Sequence, residues 1–253
     1  MIWIFIDSFH NETTGKTKIL SLEPIYLDSL IFPSLDSHDV LIQHYAYSMV
    51  YDNSHEQSKW VCYKISSAFE SGMHKRKDSF KEDPLIIEGS ASHSDYKGSG
   101  YDRGHLAPAA DMTWSEVAMK ESFYYSNMSP QRPSFNRGIW KRLESMIRKW
   151  GSDFDSLYVT TGPLLIDSLD VIGSGVSVPK HFYKTILSFK EGKPLSSISF
   201  LLENKGSKSR LKDFVISTDS LEKISKLNFN SGLNRLLQDS LENNLDHTRW
   251  SWP

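Results

Sequence analysis

The sequence is short of several things, and each shortage removes a class of explanation. Its 253 residues include one cysteine, Cys62, so an intrachain disulfide and any zinc site built from several cysteines are excluded. Cys62 lies in the apolar run "WVCYKI" and reads as buried filler. No run of about 18 apolar residues occurs, so no membrane span is expected. Neither sign of charge dominates: 29 basic residues face 31 acidic ones, a net charge of −2. An anionic partner must then be met by a local patch rather than by the field of the whole chain. That disfavours a sequence-scanning nucleic-acid binder, which is usually basic throughout, but not an enzyme that must release its product. Internal repeats and long low-complexity linkers are missing as well. The opening "MIWIFIDSFHNETTG" has neither a basic n-region nor a full h-region, so it does not read as an intact signal peptide.

What is present suits a globular fold with a substantial core: 39% hydrophobic residues and 12% aromatics, with seven Trp and thirteen Phe. Residues 1–38 form a weakly patterned N-terminal extension, and residues 39–253 read as one domain. "DVLIQHYAYSMVYD" and "KWVCYKIS" are rich in β-branched and aromatic residues around the polar "DNSHEQS", which predicts a hairpin. "HKRKDSFKEDP" and "GSASHSDYKGSGYDRGH" are polar or Gly/Ser-rich and read as loops. "SEVAMKESFYYSN" predicts a short helix after Ser115 that runs into a strand. The clearest helix is 135–150, where Ile139, Trp140, Leu143, Met146, Ile147 and Trp150 recur at helical spacing. Asn136 stands at its expected N-cap and Gly151 just past its end. "SLYVTTGPLL", "GVSVPKHFYKTILSF" and "LSSISFLLEN" predict three strands, and "TDSLEKISKL" and "LNRLLQDSLENNL" two late helices. Strands on both sides of the long helix favour an α+β domain with a mixed or antiparallel sheet.

Three clusters ask for a joint explanation: "DRGH" at 102–105, "SNMSPQ" at 126–131, and the helix carrying Asn136, Glu144 and Arg148. Taken singly, each has an ordinary reading. His105 is then a surface histidine, Asn136 an N-cap, Glu144 and Arg148 a solvated ion pair, and the "HKRK" run a solvated loop. His74, His93 and His181 are read as structural or solvent-facing. Taken together, the clusters suggest phosphodiester chemistry. On a regular helix Asn136 and Glu144 are about 12 Å apart along the axis and about 80° apart around it. One can therefore ligate a small ion while the other reaches its hydration shell, an arrangement suited to magnesium. An imidazole titrating near neutrality can take a proton from an attacking water. Gly104 beside it permits a close backbone approach or a positive φ.

"DRGH", followed by "SNMSPQ" and "FNRGIWKRLE", resembles the DNA/RNA non-specific endonuclease family, the ββα-metal or His-Me finger group. The N-x8-N-x7-E spacing after DRGH is specific, whereas DRGH alone is weak. The likeness runs from about residue 40 to residue 250 and takes in "VTTGP", "VPKHFYK" and "LKDFVIS". It implies a ββα-metal finger packed on a central sheet with flanking helices. It also implies a Mg²⁺-dependent endonuclease (Mn²⁺ substituting) that cuts DNA and RNA without sequence preference and leaves 5′-phosphate and 3′-hydroxyl ends.

Residue by residue, the resemblance implies His105 as general base, Asn136 as direct metal ligand and Glu144 as the acid holding metal-bound water. Arg148 would lie near the phosphate, and Arg76 is the best candidate for an upstream phosphate contact, with Lys75 and Lys77 as neighbours in register. Asn127 is placed in the catalytic set, organising the site rather than reacting. Asp102, Arg103 and Gly104 support the loop, Arg103 also as a substrate contact. Phe123 and Lys180 depart from residues common in the family. The resemblance allows a homodimer and a proteinaceous inhibitor, and the expected setting is a secreted or periplasmic bacterial enzyme whose leader has been removed. Two alternatives stand beside this reading: a catalytically silent binding module on the same fold, and a phosphodiesterase acting on small diesters.

Overall fold

A computed structural model describes residues 31–69, 72–166, 168–243 and 247–252. The first thirty residues of the N-terminal extension lie outside them. The next two, Ile31 and Phe32, are buried in the core.

In chain order the strands are β1 Leu41–Gln43, β2 Tyr47–Asp52, β3 Gln57–Ser66, β4 Asp102–His105, β5 Met128–Gln131 and β6 Ser156–Pro163. They continue with β7 Val171–Ile172, β8 Val176–Ser177, β9 His181–Lys190, β10 Lys193–Glu203 and β11 Val215–Ile216. The helices are α1 His93–Tyr96, α2 Glu116–Glu121, α3 Lys141–Trp150, α4 Thr218–Ser225 and α5 Arg235–Glu242. Seven strands form one sheet in the order β1-β2-β3-β6-β9-β10-β11, and each of its ladders is antiparallel. The expected hairpin is β2–β3, paired from Tyr47 opposite Tyr63.

Both faces of the sheet are covered, which is why its central strands β3, β6 and β9 are buried along most of their length. Side chains alternate along β9: Phe182 and Ile186 join the core cluster that contains Trp140, Leu143, Ile147 and Trp150. Tyr183 and Leu187 join the cluster on the opposite face, with Leu221 of α4 and Leu241 of α5. Cys62 is buried there on β3, as expected for filler. The α3 stripe of Leu143, Met146, Ile147 and Trp150 is at most 5% exposed. Burying each of these large apolar side chains contributes roughly 1.5–3 kcal/mol. That burial fixes which edge of the helix remains for chemistry.

Two local expectations are corrected. "DRGH" is not a loop but strand β4, paired with β5 in the register Asp102–Gln131, Gly104–Ser129 and His105–Met128. Its partner is "MSPQ", more than twenty residues on, so the pairing is invisible to local composition. Asn136 is not an N-cap either. Pro133 and Ser134 are already helical, and the Asn136 backbone N–H donates to the Arg132 carbonyl at 2.9 Å. Residues Phe135–Trp140 lead into α3 across a kink at Gly138, whose φ −103°, ψ −110° are not helical. Together β4, β5 and this helix make a ββα unit packed on the α3 face of the sheet.

Candidate active site

The ββα unit opens into a cleft of about 560 Å³ that His105, Asn136, Glu144, Arg148, Arg76, Asp102 and Arg103 all help to line. Asn136 precedes the kink at Gly138 and Glu144 follows it on α3, so the two are not set by one regular helix, and both line the cleft.

Asp102 sets the orientation of Asn136. One of its carboxylate oxygens accepts from the Asn136 Nδ2 at 2.9 Å and from Arg137 Nε at 2.8 Å, and the other from Arg137 Nη2 at 2.6 Å. Because the amide nitrogen is taken, Oδ1 is the group Asn136 can offer to the cleft. Burial opposes ionisation of Asp102, but the hydrogen bonds from Arg137 and Asn136 outweigh it and hold the carboxyl below its usual range.

His105 is 9% exposed and caged by rings, with Phe123 edge-on at 4.9 Å and Phe80 at 5.9 Å. Nε2 is shut off from solvent without a hydrogen-bond partner among the described residues, which leaves Nδ1 able to meet a water. Burial, reinforced by the Arg76 guanidinium and partly offset by Asp78, pushes the imidazole down to about 3. The ring is therefore neutral at physiological pH, as a proton acceptor must be.

Arg76 stacks its guanidinium over Phe123 at 5.2 Å and pairs with Asp78 at 2.6 Å. Of the "HKRK" residues it is the one lining the cleft. Its loop is anchored by buried Asp83, which bonds His44 Nε2 at 2.9 Å and also Ser126. Arg148 makes no salt bridge to Glu144 within 4.0 Å among the described residues, so the solvated i,i+4 pair is not found. Its Nη1 instead donates to Asp111 at 2.8 Å, and its Nη2 to Ser145 at 3.0 Å. Arg103 donates to the Tyr125 hydroxyl at 3.1 Å, meets His93 Nδ1 at 3.0 Å and lies over Phe80.

Asn127 does not face the cleft. It is fully buried, accepting from the Ala107 N–H at 2.9 Å and donating to the carbonyls of Ala107 and Ser122. It thereby pins the chain just after His105. Gly104 has no positive φ; what it supplies is space, because a Cβ there would overlap the buried Gln131 side chain.

Glu144 makes no hydrogen bond among the described residues. Burial raises its pKa, the Asp111 carboxylate adds to this, and Lys184, Arg148 and Arg76 oppose it. A half-buried carboxylate without a partner and an amide oxygen aimed into the same cleft are hard donors, and the pair fits a divalent cation that keeps several waters. A different acidic group, Asp219, Glu222 and Glu242, also lies close enough together to share an ion. It belongs to α4 and α5 and does not line the cleft.

Lys184 was not singled out from the sequence. It is fully buried on β9, between Phe182 and Ile186 on the site-facing side. Its Nζ donates to the Leu106 carbonyl and to Thr161 Oγ1, both at 3.1 Å, and lies 4.6 Å from the Trp140 ring centroid. It therefore joins the peptide beside His105 to the helix that carries Asn136. Burial lowers its pKa, with Glu144 and Asp111 opposing. A cation in the middle of "FYKTILSF", at an inward position of a two-sided strand, is the signal that could have exposed it.

An antiparallel sheet with a ββα unit whose histidine, asparagine and glutamate converge is the architecture of a ββα-metal nuclease. The family model for DNA/RNA non-specific endonucleases matches residues 31–236, and the chain belongs to that family. Human mitochondrial nuclease EXOG is 36% identical over 240 residues, covering 88% of this chain and 65% of that protein. Bovine mitochondrial endonuclease G is 32% identical over 199 residues, covering 73% of this chain and 67% of its own length. The crystal structure of an EndoG/EndoGI complex, described as showing the mechanism of EndoG inhibition, superposes with a TM-score of 0.73 at 31% identity. It covers 81% of this chain and 89% of that one. The chain thus spans just under two thirds of the human relative. These mitochondrial relatives, with a mitochondrial nuclease of Schizosaccharomyces pombe at 40% identity over 173 residues, overturn the expectation of a secreted or periplasmic bacterial enzyme. Among the described residues no helix is long and apolar enough to cross a membrane.

Proposed function

We propose that this protein is a divalent-metal-dependent nuclease that hydrolyses phosphodiester bonds of DNA and RNA without sequence preference. The observation that carries the reading is the convergence on one cleft of a neutral His105, an Asn136 amide locked oxygen-outward by Asp102, and an unpartnered Glu144. Asn136 would hold the ion directly and Glu144 through its hydration shell. When bound, a Mg²⁺ ion supplies charge stabilisation at the phosphate and at the departing 3′ oxygen. His105 takes the proton of the attacking water at Nδ1, and Arg76 and Arg148 hold the phosphate between them. Attack at phosphorus with departure of the 3′ oxygen leaves 5′-phosphate and 3′-hydroxyl ends. Contacts confined to phosphates carry no base information, in keeping with non-specific cleavage. The relatives support a mitochondrial setting, checked by imaging the tagged full-length gene product, and the EndoG/EndoGI complex supports a protein inhibitor as a partner.

The test is plasmid DNA and single-stranded RNA digestion with Mg²⁺ and with chelator. His105→Ala should abolish turnover while leaving folding and metal binding largely intact, and Asn136→Ala should demand much more Mg²⁺. Undiminished digestion by His105→Ala, or by the wild type in chelator, would refute the assignment.

A further inference from the structure

Beside the catalytic cleft lies a second groove of about 840 Å³, between α3 and the turn Leu211–Phe214. Six cations from separate parts of the chain line it: Arg137, Lys141, Arg142, Lys149, Arg210 and Lys212. The chain as a whole carries a net charge of −2, so this concentration does not follow from composition. Two of the six have carboxylate partners, Arg137 with Asp102 and Arg210 with Asp213. Lys141, Arg142, Lys149 and Lys212 have no salt-bridge partner among the described residues. A groove arranged only for stability would interleave acids. Here the floor is apolar instead, formed by Met146, Leu211 and Trp252, and the Lys212 ammonium is held 4.8 Å over the Trp252 ring.

Arg137 and Lys141 line both this groove and the His105 cleft, so the two are continuous. We propose that the groove is a phosphate track that carries the nucleic-acid strand leaving the cleft. This deepens the nuclease reading and rests on it. From Lys141 to Lys149 the helix advances about 12 Å. The track therefore extends a few nucleotides at most beyond the scissile bond. Its ligand is a phosphodiester strand read through charge alone, whether the sugar is ribose or deoxyribose.

The experiment compares wild type with the double variants Lys149→Gln/Lys212→Gln and Lys149→Glu/Lys212→Glu, neither residue lying in the catalytic cleft. KM and kcat are measured on 30-nucleotide DNA and RNA strands and on a trinucleotide too short to reach the track. The track predicts a KM raised about tenfold or more on the 30-mers, more for Glu than for Gln, with less than a twofold change on the trinucleotide. For the Gln variant, log affinity for a 30-base-pair duplex should depend less steeply on log salt, by about 1.8. An effect on DNA but not RNA, or the reverse, would overturn the reading through charge alone. Equal KM and equal salt slope in a folded variant that still cleaves would overturn the track and leave the groove to an acidic protein partner. Failure of the nuclease reading looks different: wild type leaves all strands intact, or His105→Ala cuts them.

Discussion

Replacing Asp102 by alanine separates what holds the molecule together from what aims the site. The change removes two hydrogen bonds to Arg137 and one to Asn136 Nδ2. The Arg137 side chain is 73% exposed, so its pairing with Asp102 is screened by water and adds little to stability. The Asn136 bond is different, because a hydrogen bond to a charged acceptor contributes about 1.5–3 kcal/mol. That energy decides which way the amide faces. Without it Asn136 can turn its nitrogen to the cleft, where it repels a cation. Loss of a group that orients a ligand typically costs 10–100-fold in metal affinity, or about 1.4–2.8 kcal/mol, which matches the energy of the lost bond. The assay is a Mg²⁺ titration of plasmid cleavage with a thermal melt alongside. Half-saturating Mg²⁺ should rise about 10–100-fold, while the melting temperature falls by only a few degrees. A titration curve superimposable on wild type would show that Asn136 is either oriented by something else or is no ligand.

Two further outcomes follow from the same geometry. Gly104→Ala drives a methyl group into the fully buried Gln131 side chain, and the overpacking should destabilise the protein by about 1–3 kcal/mol, read as a lower denaturation midpoint in urea. A midpoint equal to wild type would mean that β4 and β5 part easily and that Gly104 is not needed for close approach. His105 gives a pH signature. Its folded pKa of about 3 lies below the unfolded value near 6.5, so the unfolded chain takes up the proton first. The stabilisation from the neutral ring is complete above about pH 6.5 and is lost as pH falls toward 3, at about 1.4 kcal/mol per pH unit for this group. His105→Ala should flatten that part of the stability profile, and identical acid unfolding of variant and wild type would contradict the burial of a neutral ring.

The long helix and the strands of the sheet were legible in the sequence because their signals are local. The apolar period from Ile139 to Trp150 says which face is buried, and the packing of Leu143, Ile147 and Trp150 agrees. The alternation in "FYKTILSF" marks a strand, and the odd residue in it, Lys184, can be noticed. What Lys184 touches cannot be read there, since Leu106 is 78 residues away. The same holds for "DRGH", whose strand character depends on pairing with "MSPQ". Asn136 shows the difference most clearly, because position alone made it a cap.

Residue types and spacing were enough to place the chain in its family and to single out a histidine, a carboxamide and a carboxylate in one motif, with basic residues nearby. Which atoms of those residues face the cleft was decided only by tertiary contacts. Residues 136 and 144 meet at one cleft across the kink at Gly138, Asp102 turns the amide, and Phe80 and Phe123 strip water from the imidazole. Orientation and desolvation arise from groups distant in sequence, so no local pattern can encode them.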